Sequence, residues 1–119
     1  MGDRRRALGA AGEELTAAWY RDAGYEVLSR NWRCAEGELD LVVERHGVIV
    51  FCEVKTRRGD AFGAPFEAVT AAKQRRLRVL AARWLDEHRP RRVSIRFDVA
   101  SVDAPRGFAP RVDLIEGAF

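Results

Sequence analysis

Residues 37–55, GELDLVVERHGVIVFCEVK, decide how this chain is read. Two runs rich in Val, Leu and Ile, at 39–44 and 48–55, flank Arg45-His46-Gly47 and so read as the strands of a hairpin. A two-residue turn on His46-Gly47, or a four-residue turn on 45–48, sets Asp40 opposite Glu53 and Glu38 opposite Lys55. The other face then pairs Leu39 with Val54, Leu41 with Cys52 and Val43 with Val50, all apolar. That face is expected to be core, while the charged face ends in a cluster. A three-residue turn would shift the register and undo the arrangement.

Directly opposed side chains hold their Cβ atoms about 4.5–5.5 Å apart, so Asp40 and Glu53 repel unless a cation or a shared proton lies between them. Two carboxylates, completed by water and phosphate oxygens, form the oxygen donor set that Mg2+ takes, and Mn2+ accepts the same set. Lys55 stands two residues beyond Glu53 and projects from the same strand face, bringing an ammonium beside the ion. It would orient or deprotonate a water, while the metal acidifies that water and polarises the phosphoryl oxygen. The chemistry implied is phosphodiester hydrolysis. Only two of the 21 basic residues are lysines, and arginine is too basic to exchange protons. Alone, Glu-x-Lys on a strand is a frequent coincidence, and Glu38–Lys55 reads equally as a surface ion pair. The register of Asp40 and the order of the surrounding elements turn the coincidence into a site.

Upstream, Leu8, Ala11, Leu15, Ala18 and Trp19 recur at helical spacing within residues 5–22, and Gly24 supplies a stop. This stripe is the expected core face of a first helix. Residues 25–31 alternate weakly as a strand. Downstream, 57–65 is loop-like through Gly59, Gly63 and Pro65, and 70–88 is a second helix with Leu77, Leu80, Ala81, Trp84 and Leu85 on one stripe, ended by Pro90. Residues 93–102 alternate as a fourth strand and 111–115 as a short fifth. Trp19 and Trp84 are read as core, Trp32 is left open, His46 is a turn residue, and Arg96 and Asp98 form a pair along one strand.

The 119 residues suit one domain, 1–119, with 47% apolar residues enough to bury a core. Cys34 and Cys52 have neither disulfide-framework nor zinc spacing, which fits a reduced, cytoplasmic setting. No apolar run approaches the roughly 18 residues that cross a bilayer, so no membrane partner is expected. A net charge of +3 and a pI near 9.3 are mildly basic. Acids gather between Glu36 and Glu53, whereas basic residues flank them at Arg4–Arg6, Arg57, Arg58, Lys73–Arg78 and Arg89–Arg92. An acidic centre with basic flanks suits a metal-dependent enzyme acting on a polyanion. Arg57, next to the candidate strand, and Lys73, Arg75, Arg76 and Arg78 on the second helix are the candidate nucleic-acid contacts, against the plainer reading of a solvated helix face.

Gly9-x-x-Gly12-Glu13, Asn31-Trp32-Arg33, Gly37-Glu38-Leu39-Asp40-Leu41 and Phe51-Cys52-Glu53-Val54-Lys55-Thr56-Arg57 resemble the YraN-like family of small bacterial proteins. So do Phe62-Gly63-x-Pro65, Glu67-Ala68-Val69, Lys73-Gln74, Arg96-Phe97-Asp98-Val99 and Ala118-Phe119, and the likeness spans nearly the whole chain. That family is grouped with restriction-endonuclease-like PD-(D/E)xK folds and is similar in layout to archaeal Holliday-junction resolvases. The resemblance implies an α/β fold with an αβββαβ core and a mixed central sheet flanked by helices. It implies a metal at Asp40 and Glu53, Lys55 beside it, and a first-helix acid at Glu13, although periodicity alone turns Glu13 toward solvent. Leu39 stands where the name-giving motif has proline. The function expected is a metal-dependent endonuclease acting on DNA, including branched DNA, with a homodimer compatible with symmetrical cutting. The alternative is a nucleic-acid-binding module on the same scaffold that does not cut.

Overall fold

The computed structural model describes residues 2–58, 69–105 and 107–119. The expected loop glycines Gly59 and Gly63, with Phe62, Pro65, Glu67 and Ala68, lie outside them. The order is α1 (Gly2–Asp22), β1 (Glu26–Cys34), β2 (Gly37–Arg45), β3 (Val48–Arg57), α2 (Ala71–His88), β4 (Ser94–Asp103) and β5 (Arg111–Ile115). The strands form one mixed sheet in the order β1-β2-β3-β4-β5, antiparallel except where α2 carries the chain over to a parallel β3–β4 pair.

The central hairpin turns on His46 and Gly47, both at positive φ (51° and 77°), as a two-residue hairpin connection of the primed type requires. The register is the expected one, pairing Leu41 with Cys52, Val43 with Val50 and Arg45 with Val48. α2 begins at Thr70, whose side chain accepts from the Lys73 N–H at 3.2 Å, and ends at Arg89 in the left-handed region, one residue before Pro90.

Both faces of the sheet are core, whereas the sequence reading assigned only one. Leu41, Val43, Val50, Cys52 and Ala100 pack with Ala17, Tyr20 and Tyr25 on the α1 side. Val42, Ile49, Phe51, Phe97 and Val99 pack with Leu77, Leu80, Ala81 and Trp84 on the α2 side. Leu39 belongs to the second group, so two residues that simple alternation puts on one face, Leu39 and Leu41, go to opposite faces. The phase slips at Asp40, which lies opposite Asn31 between the pairs Arg30–Leu41 and Trp32–Leu39. Asn31 has a left-handed φ of 50° at this point, and the same ladder carries a bulge further along, between Val27 and Ser29.

The face that α1 buries also differs from the expected one. Gly12, Thr16, Ala17 and Tyr20 are buried, whereas Ala11 is exposed, Leu8, Leu15 and Ala18 are partly covered, and Trp19 remains 36% exposed. Close approach explains the choice. A Cβ on Gly12 would fall 2.9 Å from Thr56 Cβ and overlap Thr56 Oγ1, so only glycine lets the helix lie this close to β3. Trp84 is core as expected, at 2% exposure. Arg96 pairs with Asp98 as expected, at 2.8 and 2.9 Å, and Asp98 also accepts from the Tyr20 hydroxyl at 2.6 Å and from Gly117 N–H at 3.0 Å. These bonds tie α1, β4 and the C-terminal segment together.

Candidate active site

The ladder between β2 and β3 ends at Leu41–Cys52. Beyond it β2 pairs only with β1, down to Gly37–Cys34, and β3 only with β4, up to Arg57–Asp103. The sheet therefore forks at the next opposed position, which is Asp40 and Glu53. In the fork, Asp40 Oδ2 accepts the Val54 N–H at 2.9 Å, satisfying a backbone donor that the ladder has released. A cleft of about 240 Å³ opens on the α2 side, lined by Glu38, Asp40, Glu53, Lys73, Arg76, Leu77 and Leu80. The last four follow i, i+3, i+4, i+7 and so form one stripe of α2.

Burial, and then the charge of Glu53, push the Asp40 carboxyl up to about 7; Glu13 and Glu38 add to the rise, and the Val54 N–H opposes it. Glu13 enters from α1. Burial raises its carboxyl above the usual range, Glu38 adds to this, and the Asn31 side chain partly offsets it. Its Oε2 is buried with no hydrogen-bond partner among the described residues. Periodicity would have turned Glu13 to solvent, but the seating of Gly12 against Thr56 turns it inward. Glu53 accepts an ion pair from Lys73 Nζ at 2.7 Å, and its side chain is 14% exposed.

The structure thus gathers Asp40, Glu53, Lys73 and Arg76 around one cleft, with Glu13 coupled to Asp40 through charge. The expected Glu38–Lys55 pair is not formed, because the strands have parted; Glu38 reaches Arg33 instead, at 3.4 Å. Lys55 lies on β3 opposite Ser101 of β4, partly buried, and its side chain makes no hydrogen bond or ion pair with another described residue. Arg57 closes β3 beside Asp103, and its carbonyl accepts from Ala104 N–H. Arg75 is exposed. Arg78 projects away from the stripe and lies over Phe97 and Phe119, 5.1 and 5.5 Å from the ring centres, where it covers an aromatic pair.

A metal can draw on two carboxylates here. Among the described residues no three His, Cys, Asp or Glu side chains close around one point, so an ion would complete its shell with water and substrate oxygens, as magnesium does readily. The crowding of Asp40 against Glu53, and the orphaned Glu13 oxygen, fit a place where positive charge is wanted. Burial pushes the Cys52 thiol up, which disfavours a reactive thiolate there. No helix among the described residues is long and apolar enough to cross a membrane.

The profile described as "Uncharacterised protein family UPF0102" matches residues 12–102. The chain belongs to this family. A UPF0102 protein of Nocardia farcinica is 50% identical over 119 residues, covering all of this chain and 93% of the relative. One of Clavibacter michiganensis subsp. michiganensis is 49% identical, covering 97% of this chain and 98% of the relative. One of Frankia casuarinae is 51% identical, covering 95% and 96%. The UPF0102 match begins at Gly12 and contains Glu13, Asp40, Glu53, Lys55, Lys73 and Arg76.

Proposed function

We propose that this UPF0102 chain is a divalent-metal-dependent endonuclease with a restriction-endonuclease-like core, hydrolysing phosphodiester bonds in DNA. One observation carries the reading: the fork between β2 and β3 places Asp40 and Glu53 in one cleft whose far wall is cationic. Asp40 and Glu53 would hold Mg2+ or Mn2+, and the bound ion would supply an acidified water and polarise the scissile phosphoryl oxygen. The Val54 N–H fixes the Asp40 carboxylate toward the cleft. Glu13 adds negative potential behind it. Lys55, two residues past Glu53 on the same strand, is the group that would take or orient the water's proton, and Arg76 would hold a neighbouring phosphate.

The alternative, a module that binds nucleic acid without cutting, draws on the Lys73–Glu53 pair, which satisfies Glu53 with no ion present. Incubating the purified protein with linear, nicked, flapped and four-way DNA, with Mg2+, Mn2+ or EDTA, separates the two. The nuclease reading expects metal-dependent cleavage that Asp40→Asn abolishes and Lys55→Ala strongly slows, with DNA binding retained in both variants. Binding without cleavage of any substrate would favour the module. Cleavage at an unchanged rate by Asp40→Asn would show that the site is misassigned.

A further inference from the structure

The chain has 19 arginines but only two lysines, and one of those, Lys73, is bonded to a proposed metal ligand. Its position is unfavourable on local grounds. Lys73 sits in the first turn of α2, where its N–H is capped by Thr70 and the positive end of the helix dipole repels an ammonium. That turn contains no acidic residue to compensate. What holds the side chain is Glu53 Oε1 at 2.7 Å across the cleft. Arg76, one turn further along the same stripe, lines the same cleft.

Building on the metal site proposed above, we infer that Lys73 is a resident counter-ion that competes with the divalent cation for Glu53 and, once displaced, joins Arg76 in holding the substrate phosphate. The Lys73 ammonium would be repelled by a divalent ion held at Glu53, and its flexible stem would let it swing outward. Released, it would lie one helical turn from Arg76 on the same stripe of α2, facing the same cleft. Two cations on one wall of the cleft suit a phosphate. The side chain therefore stabilises the empty acidic cleft and serves the polyanion when the cleft is filled. Lysine suits the exchange because it bonds Glu53 through a single compact ammonium, whereas an arginine fork engages carboxylates bidentately and releases them less readily.

The test is calorimetric titration of Mn2+ into the metal-free full chain, for wild type, Lys73→Met, Lys73→Arg and Asp40→Asn, followed by binding of a short DNA duplex with Ca2+ or with EDTA. Lys73→Met is expected to bind Mn2+ about five- to tenfold more tightly than wild type, because no ammonium must be displaced. Lys73→Arg should bind it no more tightly than wild type. Ca2+ should strengthen DNA binding by wild type more than by Lys73→Met. Unchanged or weaker Mn2+ binding by Lys73→Met, in a wild type whose binding depends on Asp40, would overturn the role of Lys73 and leave the metal site standing. Absence of Mn2+ binding by wild type and Lys73→Met alike would overturn the metal site, and the role of Lys73 with it. Circular dichroism of each variant establishes that the fold is retained.

Discussion

Replacing Asp40 with asparagine is expected to stabilise the metal-free protein at alkaline pH. The carboxyl is raised from its ordinary 3.8 to about 7, first by burial and next by Glu53. An acid whose pKa rises on folding holds its proton more tightly in the folded state. Its cost is therefore absent below 3.8, where both states are protonated, grows through the interval, and is complete above about 7. At about 1.4 kcal/mol per pH unit the rise amounts to about 4 kcal/mol. Asparagine keeps the side-chain size and leaves an Oδ1 to accept the Val54 N–H, but still buries an amide, so a gain of about 2–4 kcal/mol at pH 8 is expected. With a urea m-value of about 2 kcal/mol/M, the midpoint should rise by about 1–2 M at pH 8 and approach wild type at pH 4. Equilibrium unfolding by tryptophan fluorescence, in EDTA, measures both. A variant no more stable than wild type at pH 8, or a gain that persists unchanged at pH 4, would refute the account of the fork as a site of crowded acids.

Gly12→Ala should cost about 1–3 kcal/mol of stability, because its Cβ overlaps Thr56, whereas Gly9→Ala, with nothing within 4 Å, should be neutral or gain up to about 1 kcal/mol from helix propensity. Thermal melts of the two variants check the pair, and equal effects would remove close approach as the reason for the buried face of α1. Arg76→Ala should reduce the slope of log affinity for DNA against log salt by about 1, whereas Arg78→Ala should leave that slope intact and lower stability by about 0.5–2 kcal/mol by uncovering Phe97 and Phe119. Fluorescence anisotropy across a salt series and a melt of each variant separate these outcomes.

The hairpin register was legible because a turn on His46-Gly47 and two alternating runs admit few pairings, and the α2 stripe because its large apolar residues keep a helical period. The face of α1 was not, because periodicity weighs the apolar bulk of Leu8, Leu15 and Trp19 above the small residues that allow a helix to seat on a sheet. The available signal was Gly9-x-x-Gly12, a pair of glycines one turn apart in a helix that otherwise favours Ala and Leu. The slip at Asp40 was hidden for a related reason. Alternation assumes a regular pleat, and Asn31 breaks it through a left-handed backbone conformation that asparagine tolerates better than most residues. The Lys73–Glu53 contact depends on how α2 docks across β3, which local sequence does not encode.

The two carboxylates of the fork are neutralised by different means, and that asymmetry bears on function. Glu53 has an ammonium at 2.7 Å, supplied by a helix on the far side of the cleft. Among the described residues Asp40 has only the Val54 N–H, and burial and the charge of Glu53 push its carboxyl up to about 7. A purely structural acidic pair would be expected to acquire a cation for each member, since an unmatched buried carboxylate destabilises the fold by several kcal/mol. Here the uncompensated member sits where the strands part and solvent enters, with Glu13 adding further negative charge behind it. An amide at Asp40 would avoid this cost, and the proposed metal would account for a carboxylate there. On the proposed reading, a divalent ion would supply the missing charge without a permanent side-chain partner, and the Lys73 and Arg76 wall of α2 would receive the accompanying anion.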